Sequence, residues 1–133
     1  MKLAVECLSL FSDQDRIDLA KIWPHQNLDL LQQSLDAHQR LFASRFNGRL
    51  LAAIMVEIDG EYAELDDLMV REATRRRGVG LHLIQEVVRQ LPEVKEFWLT
   101  AADHAGVNEA VLDRFMESCG FFPVSGGWLY TRT

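Results

Sequence analysis

The stretch TRRRGVGL, residues Thr74–Leu81, concentrates positive charge and backbone freedom in one short segment. Its three arginines, with Arg71 just before them, stand in a chain whose formal net charge is -6, so the positive potential is local. Gly78 and Gly80 lack a Cβ atom, which lets main-chain N–H groups come close to a ligand. A strongly amphipathic helix is predicted to begin there, and its positive end adds to the same field. The segment therefore predicts a binding site for an anionic ligand, and a phosphate group fits it best.

Two common phosphate-binding motifs do not match this segment. A P-loop needs a lysine followed by serine or threonine after its last glycine, and neither stands there. A dinucleotide-binding fingerprint needs a third glycine at the position of Leu83. A strand ending at Val70, an arginine-rich loop, two glycines and a helix instead fit a pyrophosphate held by several N–H groups. The alternative, a solvated run of charges before an ordinary helix, stays open.

The composition of the chain excludes several classes of protein. With 133 residues, 48% of them apolar, the chain predicts one domain, residues 1–133, with a single core. The acidic balance argues against a general nucleic-acid binder, which needs a broad basic surface. No apolar run approaches the ~20 residues that span a bilayer, and Met1–Leu10 is unlike a signal peptide. We therefore expect a cytoplasmic protein with no membrane partner and no nucleic-acid partner.

The two cysteines and four histidines do not suggest a metal site. Cys7 and Cys119 are each flanked by apolar residues, so we expect both to be buried, reduced thiols. The histidines are scattered without the spacing of metal ligands. Only His104 follows a strand end near the expected cleft, and it is therefore the one histidine that merits a functional test.

Hydrophobic periodicity and turn signals predict a mixed α/β chain. An Asn-Gly pair at Asn47 and Gly48 predicts a hairpin, and one strand, helix, strand crossover runs from Tyr62 to Ala102. The predicted strands are Lys2–Leu8, Arg40–Phe46, Arg49–Glu57, Tyr62–Val70, Phe97–Ala102, Phe121–Val124 and Trp128–Thr131. The first predicted helix is capped by Ser12 or Asp13 and ended by Pro24, and its apolar positions are Ile17, Ala20, Ile22 and Trp23. The other predicted helices are Leu28–Leu35, Gly78–Leu91 and Asn108–Cys119, the last of them closed by Gly120.

The run from Leu65 to Val70, followed by Arg75–Gly80, resembles the acetyl-CoA-binding signature of the GNAT-type N-acetyltransferases. In that family an arginine or glutamine, two residues, a glycine, one residue and a small residue mark the pyrophosphate loop, and the preceding strand end pairs with the pantetheine arm. The resemblance implies an acyl-CoA N-acyltransferase fold, a mixed and mostly antiparallel sheet flanked by about four helices. It also implies a site for acetyl-CoA or CoA formed by Leu68, Met69, Val70, Thr74, Arg75, Arg76, Arg77, Gly78, Val79, Gly80 and Leu81.

Within that family, four separated segments resemble the bacterial maturation and regulatory factors of aspartate 1-decarboxylase. The segments are Phe11–Leu19 with Lys21–Pro24, Arg45–Asn47 with Arg49–Ala53, Val70–Gly80, and Gly126–Trp128. This resemblance implies a CoA-sensing protein that binds the decarboxylase proenzyme, promotes its self-cleavage to the pyruvoyl form, and restrains the mature enzyme when CoA is plentiful. It places partner contacts at Arg45 and Asn47 and on the arginine-rich segment after Val70, which we call the arginine loop.

Acetyl transfer needs an acid for the departing thiolate and a base for the incoming ammonium. In many members of the family a tyrosine four residues before the helix-closing glycine is the acid, but here that position is Met116, with Phe115 beside it. Tyr62 and Tyr130 are possible substitutes, although packing or partner contact is the commoner role of such aromatics. On the base side Glu61, Glu64, Asp66 and Asp67 crowd one strand. We assign no catalytic residue and expect a regulator, and a working N-acetyltransferase is the alternative.

Overall fold

The computed structural model describes residues 3–71, 79–100 and 109–131 of the chain. Within them the elements follow one another in the predicted order. The strands are β1 (Ala4–Leu8), β2 (Gln39–Phe46), β3 (Arg49–Asp59), β4 (Tyr62–Val70), β5 (Glu96–Thr100), β6 (Phe122–Val124) and β7 (Gly127–Thr131). The helices are α1 (Asp13–Ile22), α2 (Leu28–Ser34), α3 (Val79–Gln90) and α4 (Glu109–Ser118). The predicted element ends at Lys2, Gly78, Ala102 and Asn108 lie outside the described residues. In the described part of the chain no helix is both long and apolar enough to cross a membrane.

The strands form one sheet in the order β1-β2-β3-β4-β5-β7-β6. Neighbouring strands are antiparallel except β4 and β5, which are parallel and are separated in the chain by α3. Asn47 and Gly48 have positive φ values of 51° and 77°, as a two-residue type I′ hairpin requires. The mixed, mostly antiparallel sheet that the sequence predicts is therefore confirmed.

The sheet carries a hydrophobic core on each face, whereas the sequence predicted a single core. On one face α3 and α4 pack against the strands, and the apolar stripe predicted for α3 is buried there. On the other face α1 and α2 cover β2 and β3. The first core includes Leu83, Ile84, Val87, Phe97, Leu99 and Met116, and the second includes Leu19, Ile22, Trp23, Leu31, Leu41 and Leu50.

The buried face of α1 differs in part from the predicted one, because Ile22 and Trp23 are buried as predicted but Ile17 and Ala20 are not. Ile17 is 52% exposed, and Ala20 is also exposed, whereas Asp15 and Asp18 are buried together with Leu19 and Ile22. The physical reason is ionic, because both acids point at arginines of the β2–β3 hairpin. Sequence periodicity treats an acid as a surface residue, so it assigned Ile17 and Ala20 to the buried face and missed Asp15 and Asp18.

The acids of α1 hold two arginines of the hairpin. Asp18 accepts hydrogen bonds from Arg49 Nη2 at 2.7 Å and from the main-chain N–H of Leu50 at 3.0 Å. Asp15 accepts from Arg45 Nη1 at 3.1 Å. Burial alone would raise the pKa of Asp18, but its hydrogen bonds from Arg49, Leu50 and Gln14 outweigh this and hold the pKa below its usual range.

The expectation of two buried thiols is half right. Cys119 is 8% exposed, and burial raises the pKa of its thiol to about 12. Cys7 is exposed, which corrects the prediction, because β1 is an edge strand of the sheet.

Gly120, with φ 89°, follows the end of α4 as predicted, and the N–H of Phe121 donates to the carbonyl of Met116 at 2.9 Å.

Candidate functional site

The strand β4 changes direction at a bulge near its end. Met69 pairs with Ala53 and Asp66 pairs with Met55, so Asp67 and Leu68 together face the single residue between those partners. Asp67 has a positive φ of 56°. Most residues with a Cβ atom pay about 1–2 kcal/mol in this left-handed conformation, and aspartate pays less because its short polar side chain can hydrogen-bond locally. Bonds from neighbouring groups add to the stability of this conformation at Asp67.

The parallel ladder between β4 and β5 covers only the first half of β4. It runs from Tyr62 with Glu96 to Leu65 with Leu99, and the bulge follows directly. Leu68, Met69 and Val70 therefore lie past the last paired residues of the described ladder. This is the segment whose main chain the sequence predicts to pair with the pantetheine arm, and all three residues are half-buried.

The start of α3 lies against this strand end. A Cβ atom built on Gly80 would lie 3.2 Å from Val70 Cγ2 and 3.4 Å from Phe115 Cζ. The missing side chain therefore lets α3 pack closely against β4 and α4. The sequence interpretation gave Gly80 a role in close approach of a ligand, and the structure adds this packing role.

The structure brings together only part of the predicted anion site. Val70, Val79, Gly80 and Leu81 lie at the two ends of the arginine loop, and the first described turn of α3 contains no acidic residue. The main-chain N–H of Arg71 donates to Leu51 O at 2.8 Å, which continues the β3–β4 pairing. Thr74, Arg75, Arg76, Arg77 and Gly78, which the sequence assigns to the pyrophosphate, lie outside the described residues. A helix whose first described turn has no acidic residue is suited to an anion at its N-terminal end.

The predicted partner contacts lie on the β2–β3 turn, and their environments differ. Asn47 is exposed. Arg45 is half-buried and engaged within the chain, since it bonds Glu6 and Asp15 and also donates to the carbonyl of Gly48 at 3.2 Å. Arg45 therefore braces the turn that presents Asn47.

The positions considered for a catalytic acid do not favour proton transfer. Met116 is fully buried, so the position of the expected acid is part of the core. Tyr130 packs against Phe97 and Phe121, with ring centroids 6.0 and 5.5 Å away. Tyr62 is 39% exposed, and its pKa is raised, first by partial burial and then by neighbouring carboxylates. A raised phenol pKa moves this group away from the range in which an acid transfers protons readily.

The carboxylates of β4 separate into two groups. Glu64 and Asp66 lie with Glu57 of β3, and one carboxylate oxygen from each falls within 4.8 Å of the others. The sequence pattern did not include Glu57, because it lies on the neighbouring strand. Asp67 turns instead toward the segment between α1 and α2, where Gln26 Nε2 donates to it at 2.9 Å. Glu61 is exposed in the β3–β4 turn, and His104 lies outside the described residues.

Comparison with known proteins agrees with this architecture. Residues 2–129 match the family model described as the acetyltransferase (GNAT) domain, PanZ. The chain is 48% identical over 128 residues to the PanD regulatory factor of Escherichia coli strain K12, covering 96% of this chain and 98% of that protein. It is 45% identical to the PanD regulatory factor of Salmonella typhimurium, with the same coverage.

Two solved structures share the fold of this chain. The solution structure of the Escherichia coli protein YhhK bound to coenzyme A matches with a TM-score of 0.83 at 47% identity, over 98% of this chain and 99% of that one. The ribosomal-protein-S18-alanine N-acetyltransferase of Escherichia coli matches with a TM-score of 0.75 at 17% identity, over 99% and 95%. The seven-stranded mixed sheet with its four described helices is therefore the GNAT acetyltransferase fold.

The chain belongs to the PanZ family of GNAT-domain proteins. It is a homologue of the PanD regulatory factors along nearly its whole length. The resemblance inferred from four separated sequence segments is thereby confirmed.

Proposed function

We propose that this protein is a cytoplasmic regulator, formed by one domain, that binds CoA or acetyl-CoA and aspartate 1-decarboxylase (PanD). It promotes self-cleavage of the decarboxylase proenzyme to the pyruvoyl form and inhibits the mature enzyme. Regulation by CoA then gives feedback control of pantothenate and CoA biosynthesis. The observation that carries this proposal is 48% identity, over 96% of the chain, to a protein named PanD regulatory factor.

The CoA site extends from the end of β4 to the start of α3. Leu68–Val70 pair with the pantetheine arm, and main-chain N–H groups from Arg76–Leu81 hold the pyrophosphate. Arg75 and its neighbours neutralise the pyrophosphate and the ribose 3′-phosphate. This assignment is supported by the position of the described residues at both ends of the loop and by the CoA bound to a relative at 47% identity.

The partner surface includes the exposed Asn47 and, as the resemblance implies, the arginine loop. Arg45 contributes by fixing the turn, because its guanidinium is already bonded to Glu6 and Asp15. CoA binding at the loop then favours decarboxylase binding at the adjoining surface, which is a coupling between two binding events.

The test is a titration of purified decarboxylase with this protein, with and without CoA or acetyl-CoA, followed by an assay of proenzyme cleavage. Asn47→Ala should retain CoA binding measured by calorimetry and lose the decarboxylase in a pull-down, since Asn47 is exposed and its side chain has no described internal bond. Asp59→Ala is the matched control, because Asp59 is exposed at the opposite end of β3. The Asp59→Ala variant should retain both CoA binding and decarboxylase binding.

The alternative is an active N-acetyltransferase acting on a small amine or a protein amine. The close grouping of Glu57, Glu64 and Asp66 is the observation that favours it, because one of these carboxylates could accept a proton. The buried Met116 at the expected acid position favours the regulator. Release of thiol from acetyl-CoA at a steady rate, with an amine present and no decarboxylase, would support the enzyme and contradict the regulator.

A further inference from the structure

The bulge residue Asp67 receives contacts from a short segment at the end of α1. Trp23 Nε1 donates to the main-chain carbonyl of Asp67 at 2.8 Å. Gln26 Nε2 donates to Asp67 Oδ2 at 2.9 Å, and His25 Nε2 lies 3.0 Å from the same oxygen. Both the backbone and the side chain of one residue are therefore held from the same segment.

That segment is itself well fixed. Trp23 is fully buried, and its main-chain N–H donates to Leu19 O at 2.7 Å. The N–H of Gln26 donates back to the carbonyl of Trp23 at 3.1 Å, which closes the turn. The contacts on Asp67 therefore come from a turn anchored in the second core, and they hold a left-handed residue in place.

Leu68 follows Asp67 directly, so the conformation at Asp67 sets the direction in which Leu68–Val70 leave the bulge. We propose that Trp23, His25, Gln26 and Asp67 position the pantetheine-binding segment and thereby set the affinity for CoA. None of these four residues lies in the arginine loop. They are positioning residues, because they act on the ligand through Leu68–Val70. The inference rests on the proposed CoA site and adds residues on which that site depends.

The mechanism is a matter of conformational populations. If the segment adopts its binding conformation only part of the time, the apparent dissociation constant equals the intrinsic constant divided by the fraction of molecules in that conformation. The described contacts keep Asp67 in a conformation that an isolated residue with a Cβ atom rarely adopts. Removing the side-chain donors should therefore weaken CoA binding even though neither side chain belongs to the predicted CoA site.

The experiment compares wild type with the double variant His25→Ala, Gln26→Ala. Because the buried Trp23 is left intact, the double variant should fold. We expect its dissociation constant for CoA to rise about tenfold, which is ~1.4 kcal/mol. The second ligand is 3′-phosphoadenosine 5′-diphosphate, which carries the nucleotide and diphosphate of CoA without the pantetheine arm. Its affinity should not change.

Two further variants separate positioning from general loosening of the helices. Asp29→Ala breaks the exposed Arg16–Asp29 ion pair between α1 and α2, and it should bind CoA as wild type does. Asp67→Asn should retain most of the CoA affinity, because asparagine tolerates positive φ and keeps an oxygen that accepts from Gln26.

The outcomes are distinct. Unchanged CoA affinity in the double variant would overturn the inference, and so would an equal loss for both ligands, which would show a general structural effect. If wild type itself does not bind CoA, the proposed CoA site fails and the inference fails with it. A loss confined to CoA, with retention in Asp67→Asn, supports the positioning role.

Discussion

Replacing Asp18 with asparagine should loosen the attachment of α1 to the β2–β3 hairpin. The side chain of Asp18 is fully buried, and its two oxygens accept from Arg49, Gln14 and the main-chain N–H of Leu50. Asparagine has almost the same shape, so the variant tests hydrogen bonding and charge with little change in packing. One of its two terminal atoms becomes a donor and must face another donor.

The expected loss follows from these partners. If the remaining oxygen stays with Arg49, the buried N–H of Leu50 loses its acceptor, which costs about 1–3 kcal/mol. The bond to Arg49 also changes from charged to neutral. This effect is smaller than for a fully buried pair, because the Arg49 side chain is 41% exposed and water can solvate it. We expect a total decrease in the free energy of unfolding of about 2–4 kcal/mol.

Urea unfolding followed by tryptophan fluorescence measures this change. With a urea dependence of about 2 kcal/mol per molar, the middle of the range for small proteins, a loss of about 2–4 kcal/mol should lower the midpoint by roughly 1–2 M. Asp29→Asn is the control, since it breaks an ion pair whose aspartate side chain is 74% exposed, and it should cost less than about 0.5 kcal/mol. A loss for Asp18→Asn no larger than that of the control would refute the reasoning.

The ion pair between Asp18 and Arg49 also makes the free energy of unfolding depend on pH. Burial alone would raise the pKa of Asp18, but its hydrogen bonds hold the pKa below the usual value of about 3.9 in the folded state. The ionised form is then favoured by folding, so its contribution is fully present above the unfolded pKa. It is lost as the pH falls through the folded pKa. The stability gap between wild type and Asp18→Asn should therefore narrow below about pH 4.

Two further predictions concern packing and thiol chemistry. Gly80→Val should lower the melting temperature, because the first added carbon would already lie 3.2 Å from Val70 Cγ2 and 3.4 Å from Phe115 Cζ, and such overpacking costs about 1–3 kcal/mol; an unchanged melting curve would contradict the close packing of α3. A maleimide at neutral pH should label Cys7 and leave Cys119 unlabelled, because the reagent can reach the exposed Cys7 whereas Cys119 is buried and its pKa is raised to about 12. Partial burial also raises the pKa of the Cys7 thiol, so its labelling should be slower than that of a free cysteine; peptide mass spectrometry checks both sites, and labelling of Cys119 in the folded protein would contradict the prediction.

Local signals in the sequence were sufficient to predict the order of the helices and strands. The Asn47–Gly48 pair requires two positive φ values, and the hairpin has them. The apolar stripe of α3 predicted its buried face because those positions have no polar group to satisfy. The face of α1 was predicted wrongly at Ile17, Ala20 and the two buried acids for the converse reason. Asp18 is buried because Arg49, 31 positions away in the chain, meets it in the fold, and periodicity contains no information about that partner.

In the candidate site, too, the local features could be predicted from the sequence and the contacts between distant residues could not. The glycines and arginines at 75–80 identify the loop because phosphate binding needs those residue types close together in the sequence. The contacts on Asp67 could not be predicted in this way, since Trp23 is 44 positions away and donates to a main-chain oxygen that any residue would provide. The position of Glu57 beside Glu64 and Asp66 depends equally on strand register.

One helix supports both predicted binding surfaces. At the C-terminal end of α1, Trp23 holds the bulge that leads to the CoA segment, and on its buried face Asp15 and Asp18 hold the hairpin that presents Asn47. A substitution on α1 can therefore weaken CoA binding, decarboxylase binding or both through loss of support. Shared support is not coupling, because coupling is the change in affinity for one ligand caused by the other. For any α1 variant, CoA affinity must be measured without the decarboxylase and decarboxylase affinity without CoA. Only a change in the ratio of decarboxylase affinities with and without CoA would show that α1 also transmits the effect of CoA.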